Sequence, residues 1–160
     1  MNANIKKLTY TALFIAIVFL CTVVIAIPSP LGGYINIGDA AIYIASFFLG
    51  PLYGFLAGGI GSMLGDFSLG YFIYMLPTLI IKGSMGAVSA LFFKHNKNVL
   101  GICCGLVIMV AGYYVAEIII LNNLFAPMAN VPFNLIQGSA GAFAAYLLIQ
   151  VFKKSKINIS

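Results

Sequence analysis

Residues 40–65 read AAIYIASFFLGPLYGFLAGGIGSMLG, 26 consecutive residues without a charge. Whether they form one tilted helix or two short ones decides the fold, because crossing an apolar layer of about 30 Å takes about 20 helical residues. Gly50-Pro51 stands in the middle. Gly closes a helix and Pro, with no N–H to leave unpaired, opens the next, so the pair predicts a break.

Working outward, the remaining uncharged runs complete a set of six helices, over about 8–27, 39–49, 51–65, 70–93, 99–121 and 132–152. Lysine placement supports this count. With a break at Gly50-Pro51, Lys6, Lys7, Lys94, Lys97, Lys153, Lys154 and Lys156 all share one side, which is the pattern expected of cytoplasmic segments. One continuous helix would put Lys94 and the C-terminal lysines opposite Lys6 and Lys7. The expected fold is therefore all-α: a single membrane domain over 1–160, a bundle of six transmembrane helices with both termini cytoplasmic. The second and third spans are short and are expected to tilt or pack within the bundle.

Composition agrees with a chain dissolved in lipid. It is 62% hydrophobic and 7% charged, with a mean hydropathy of +1.10, against about 25% charged residues in a soluble domain. That excludes a soluble enzyme, a disordered tail and a secreted disulfide scaffold. The net charge of +5 is too sparse to follow a phosphate backbone, so no nucleic-acid partner is expected. The first apolar run exceeds a signal peptide's core and lacks a clean A-x-A site, so it reads as a retained span. Cys21, Cys103 and Cys104 lie in apolar runs with no His at ligand spacing, which predicts small fillers and no metal. There is no GxxxxGK[ST] to cradle ATP, and one His with no paired catalytic carboxylates gives a hydrolase little to work with. No catalytic residue and no cofactor is expected.

Four polar features stand out against this background. Lys82 falls about 12 residues, or about 18 Å, into the fourth span, where a lysine costs roughly 2.5 to 3.5 kcal/mol to insert. It should therefore face the bundle interior, either touching a ligand or held by helix carbonyls that Pro77 leaves free. Its neighbours at helical spacing include Tyr71, Thr78 and Met85. Glu117, four residues before the end of the fifth span, lies about 12 Å from Lys82 in depth, so a ligand or waters bridge the two more easily than a direct ion pair. Asn134, Gln137, Gly138, Gly141 and Ala145 form one polar and small stripe on the sixth span, suited to a neutral heterocycle or to interhelical hydrogen bonds. Residues 31–39, LGGYINIGD, read as a glycine-hinged lid over an outward pocket, with Asp39 as a helix cap. Small residues add a fifth pattern: Ala12 and Ala16 on the first span, and Gly54, Gly58, Gly61 and Gly65 on the third, allow close helix approach within the bundle or against a partner.

Taken together, the six short helices, Ala12 and Ala16, the stretch Asn36-Ile37-Gly38-Asp39-Ala40-Ala41, the Gly50-Pro51 break, the glycine-rich third helix and Lys82-Gly83 resemble an S component of an energy-coupling factor (ECF) transporter. The likeness covers nearly the whole chain and is strongest to members of the hydroxymethylpyrimidine and pyridoxine type. It implies a vitamin-capture subunit of the bacterial plasma membrane that is no enzyme itself. The partners it implies are a small vitamin or precursor, a transmembrane coupling (T) component, two ATP-binding cassette ATPases that hydrolyse the ATP, and the surrounding lipid. It further implies substrate contacts at Tyr34, Asn36, Tyr74, Lys82, Glu117, Asn134 and Gln137, and docking through Ala12, Ala16, Gly54 and Gly58. The competing reading is a stand-alone ion-coupled carrier with Lys82 and Glu117 as its proton-linked groups.

Overall fold

The computed structural model describes residues 3–29 and 33–155. Six α-helices make up almost all of it: α1 (Ala3–Val23), α2 (Gly38–Leu49), α3 (Pro51–Leu69), α4 (Met75–Lys94), α5 (Asn98–Leu121) and α6 (Val131–Lys154). Short 3-10 turns at Phe72–Tyr74 and Ala126–Ala129 lead into α4 and α6. Between α1 and α2 the chain forms a small antiparallel ladder, β1 (Ile27–Pro28) with β2 (Tyr34–Ile35), pairing Ile27 with Ile35. Four helical segments are long and apolar enough to cross a bilayer: Ile5–Val23, Phe72–Lys94, Asn98–Leu121 and Val131–Lys154.

The break between α2 and α3 is one residue wide. Gly50 sits at φ 82°, a left-handed conformation that disfavours any side chain, and Pro51 takes the first helical position behind it. α2 then has 12 residues, about 18 Å at 1.5 Å per residue, too short to cross the apolar layer alone. α3 runs on to Leu69, beyond the expected end at Gly65, and α1 stops at Val23, before the expected end at Ile27, because the chain turns there into the β ladder.

The core is layered between α2, α4, α5 and α6, with Ile42, Tyr43, Met85, Met109 and Ile149 fully buried. Tyr43 buries its hydroxyl too, donating to the Ile102 carbonyl at 2.9 Å. Glycines bring the backbones together around α3. A Cβ on Gly54 would lie 2.8 Å from Ser46 Oγ, one on Gly58 2.8 Å from the Lys82 carbonyl, and one on Gly61 2.8 Å from the Ile15 carbonyl. Gly54 and Gly58, expected to dock a partner, therefore hold α2 and α4 against α3 and are covered. Ala12 and Ala16 are exposed on α1 and remain open to a partner.

Each helix reverses the direction of the one before it. Phe48 near the end of α2 meets Phe14 of α1 and Phe152 of α6, and Lys153 donates to Asn96 in the α4–α5 turn at 3.3 Å. Those contacts gather the lysine-bearing ends of α1, α4 and α6 at one end of the bundle. Lys156 lies outside the described residues.

Candidate functional site

At the opposite end, the β ladder, the C-terminal end of α3 and the ends of α4, α5 and α6 enclose a cavity of about 40 Å³. All seven residues expected to meet substrate line it: Tyr34, Asn36, Tyr74, Lys82, Glu117, Asn134 and Gln137. The lining also includes Asp66, Tyr71, Thr78 and Tyr113. Tyr71 and Thr78 precede Lys82 by 11 and 4 positions, one helix face, so the spacing from Lys82 already pointed to them. Asp66 carried no such signal.

Lys82 is buried to 2% exposure and its ammonium pairs with Asp39 Oδ1, whose side chain is fully buried. Asp39 is therefore not a cap, and helix carbonyls are not what holds Lys82. α2 starts at Gly38, whose amide N–H is accepted by Asn36 Oδ1 at 2.9 Å, so Asn36 does the work expected of Asp39. α4 begins at Met75 because the 3-10 turn takes up residues 72–74. That leaves Lys82 about 10 Å into the helix, shallower than expected and level with the start of α2.

The second Asp39 oxygen, Oδ2, accepts from Gln137 Nε2 at 3.0 Å. Gln137 Oε1 in turn accepts the Asn36 backbone N–H at 3.0 Å. One amide on α6 thus ties the end of the β ladder to a buried ion pair between α2 and α4. Gly141, one turn along α6, makes the approach possible, since a Cβ there would lie 2.7 Å from Asp39 Cβ. Replacing Gln137 with Leu strands the Asn36 N–H and one Asp39 oxygen, each worth about 1 to 3 kcal/mol when buried unpaired. The expected outcome is faster amide hydrogen exchange over residues 33–38 with the core helices unchanged, read by exchange mass spectrometry.

The rim is aromatic and acidic. Tyr34 donates to Asp66 Oδ1 at 2.7 Å, and its ring lies 4.9 Å from that of Tyr71 at 38°. Burial, together with the Asp66 carboxylate, pushes the Tyr34 hydroxyl above the ordinary phenol range, so it stays a donor. Tyr113 shares a hydrogen bond with Thr78 at 3.0 Å and stacks its face 5.5 Å from the Lys82 ammonium. Glu117 does not pair with Lys82: its Oε1 accepts from Asn130 Nδ2 at 3.0 Å. The segment expected to be a free lid is partly tied down, through Tyr34 to α3 and through Asn36 to α6; Leu31 and Gly32 lie outside the described residues. Among the described residues, no three His, Cys, Asp or Glu side chains come together as a metal site would need. Chemically the cavity offers amide donors and acceptors, tyrosine faces and carboxylates, and no activated nucleophile.

Known proteins match this chain over most of its length. A bacterial ECF transporter S component of known structure superposes with a TM-score of 0.78 over 94% of this chain and 97% of that one, at 19% identity. An uncharacterized protein of Pyrococcus woesei is 35% identical over 138 residues, covering 83% of this chain and 92% of its own length. The thiamine precursor transporter HmpT of Lactococcus lactis subsp. cremoris is 29% identical over 158 residues, 98% of this chain and 93% of that protein. S components are multi-pass subunits of the plasma membrane and are not enzymes. The model of the ECF-type riboflavin transporter S component matches residues 2–154, and the chain belongs to that family.

Proposed function

We propose that the chain captures a small water-soluble vitamin or precursor, hydroxymethylpyrimidine or pyridoxine, from outside the cell. The observation that carries this reading is the convergence of Tyr34, Lys82, Glu117, Asn134 and Gln137 on one cavity. Because Asp39 neutralises Lys82, the inner end does not call for a large anion, and its amides suit a neutral ring. A cavity of about 40 Å³ is a few water-sized spheres, so a one-ring ligand needs a modest shift of the rim, whereas a three-ring flavin with its side chain needs a far larger one. The thiamine precursor relative points the same way. Equilibrium dialysis of the purified chain against labelled hydroxymethylpyrimidine, pyridoxine, thiamine and riboflavin tests this. Tight binding of one of the first two is expected, and a folded chain that retains none of the four overturns the proposal.

In this reading six helices cross the membrane with both termini cytoplasmic, and the cavity faces outward. Family membership supports delivery through a T component and two ATP-binding cassette ATPases. Ala12 and Ala16, exposed on α1, supply a surface where another helix can approach closely. Ala12→Leu combined with Ala16→Leu is expected to leave substrate binding unchanged and to reduce uptake at least tenfold in cells expressing the whole transporter. Loss of binding in that variant would assign the two alanines to the fold instead. Reconstituted without partners, the chain should bind but not accumulate substrate, whereas a self-sufficient carrier would respond to a pH gradient.

A further inference from the structure

Where α5 ends and α6 begins, Glu117 and Asn130 share one hydrogen bond and leave an open atom on each side of it. Glu117 lies one turn before the end of α5 and Asn130 directly precedes α6; their exposures are 3% and 2%. Asn130 Nδ2 donates to Glu117 Oε1 at 3.0 Å. The second oxygen of the carboxyl, Oε2, and the amide oxygen, Asn130 Oδ1, are both buried with no hydrogen-bond partner among the described residues. Both are acceptors. Turning the amide over moves the problem without removing it, because a carboxylate has no hydrogen to give the amide oxygen.

A buried carboxylate with an unserved oxygen and no cation beside it is costly, and an unserved amide oxygen next to it adds to the cost. The elements packed around Glu117 bring no charge to offset it. Residues 126–145, which cover the 3-10 turn and the first half of α6, contain no ionisable side chain. Tyr113 of α5 and Tyr74 ahead of α4 lie near it. Across the cavity stand Tyr34, Tyr71 and Asp66, the last receiving the Tyr34 hydroxyl and with Thr78 beside it. Lys82 lines the same cavity but is paired with Asp39. None of these gives Glu117 a free positive charge or a hydrogen bond to Oε2.

We infer that Glu117 and Asn130 form a proton-binding site, in which Glu117 is a neutral carboxylic acid and its Oε2–H donates to Asn130 Oδ1. One proton taken from water then serves both open atoms. Acid and amide close a ring of two hydrogen bonds, each group donating once and accepting once. A water bridging the two oxygens would also serve them but would leave a buried charge in place. The site does not depend on which molecule the cavity takes. Its consequence is mechanical: the Asn130 carbonyl accepts the Asn134 N–H at 2.9 Å, and Asn134 and Gln137 reach the cavity from the same face of α6. The proton fixes where α6 starts against α5, and Glu117 acts through it as a positioning residue for those two side chains. Losing the proton removes one of the two bonds and sets a carboxylate against the amide oxygen.

Infrared spectroscopy of the purified full chain at neutral pH, with no substrate added, reads the proton directly. A C=O band of a buried, protonated carboxyl is expected in the parent and should be lost in Glu117→Gln. Asn130→Ala removes the donor to that carbonyl and should move the band to higher frequency, so it decides the matter if Glu117→Gln does not fold. A parent without the band, a Glu117→Gln spectrum that keeps it, or a band unmoved in Asn130→Ala overturns the inference. Denaturant unfolding in mixed micelles gives an independent reading. Gln can form the same two-bond ring at any pH, whereas the unfolded parent releases a proton that the folded parent keeps. The folding equilibrium of the parent relative to Glu117→Gln should therefore fall about tenfold for each unit of rising pH between about pH 5 and pH 7. A ratio that stays constant over that range means that Glu117 is charged in the folded protein, and the inference fails while the proposed capture function stands.

Discussion

Replacing Lys82 with Met is expected to destabilise the protein by about 3 to 5 kcal/mol, because it leaves the Asp39 carboxylate buried and charged with no cation beside it. Asp39 is fully buried and Lys82 exposes 2% of its side chain, so bulk water screens the pair little. In thermal unfolding of the detergent-solubilised protein, Lys82→Met should fall far below the parent. Adding Asp39→Asn removes the stranded charge and keeps an acceptor for Gln137, so the double variant should recover more than half of the loss. A double variant no more stable than Lys82→Met alone would mean that the pair is not what holds α2 to α4. The double variant also isolates the ligand question. If Lys82 touches substrate, a folded double variant loses at least tenfold in affinity, about 1.4 kcal/mol.

Gly58→Val should be the most damaging substitution outside the cavity. Its Cβ would fall 2.8 Å from the Lys82 backbone carbonyl and 2.9 Å from Ile42 Cγ2. Backbone cannot rotate away as a side chain can, so α3 and α4 must separate. Overpacking of a close-packed interior typically costs 1 to 3 kcal/mol. Here the helix that moves also carries Lys82 away from Asp39, so the expected cost lies at or above the upper end of that range. Size-exclusion profile and unfolding temperature measure it. Gly70→Ala makes a control: its added Cβ meets nothing within 4 Å, and only the left-handed φ of 81° opposes it, so the effect should be near 1 kcal/mol. Equal effects of the two substitutions would count against the helix-contact argument.

The parts of the fold that were legible in the sequence are those set by local chemistry. Gly50-Pro51 announces its break because a left-handed residue followed by one lacking an N–H can hardly continue a helix. Lys82 announces its burial because a cation amid apolar residues has to face inward. The partner of Lys82 was not legible. Asp39 is 43 positions away and stands next to a helix start, where an acid ordinarily caps. Only the 3-10 turn at Phe72–Tyr74, which shifts the start of α4, brings the two to one level. The β ladder was hidden for a different reason, since two residues per strand leave no alternation to read. In the cavity, Tyr71 and Thr78 follow from helical spacing, but Asp66 depends on how α3 ends against the ladder, which is a tertiary matter. The glycines of α3 carried a two-way signal. Small residues favour close approach to any helix, and whether that helix is the chain's own is decided by the fold.

The single-residue joint at Gly50 also bears on how the protein is made. A helix of 12 residues cannot rest across an apolar layer of about 30 Å by itself, and with Pro51 already opening α3 there is no intervening loop to wait in water. If six helices cross the membrane, as proposed, α2 and α3 leave the insertion machinery as one hairpin during synthesis. The bond between Asp39 and Lys82 can then form only after α4 has emerged, making the arrival of the fourth helix the event that locks the second in place.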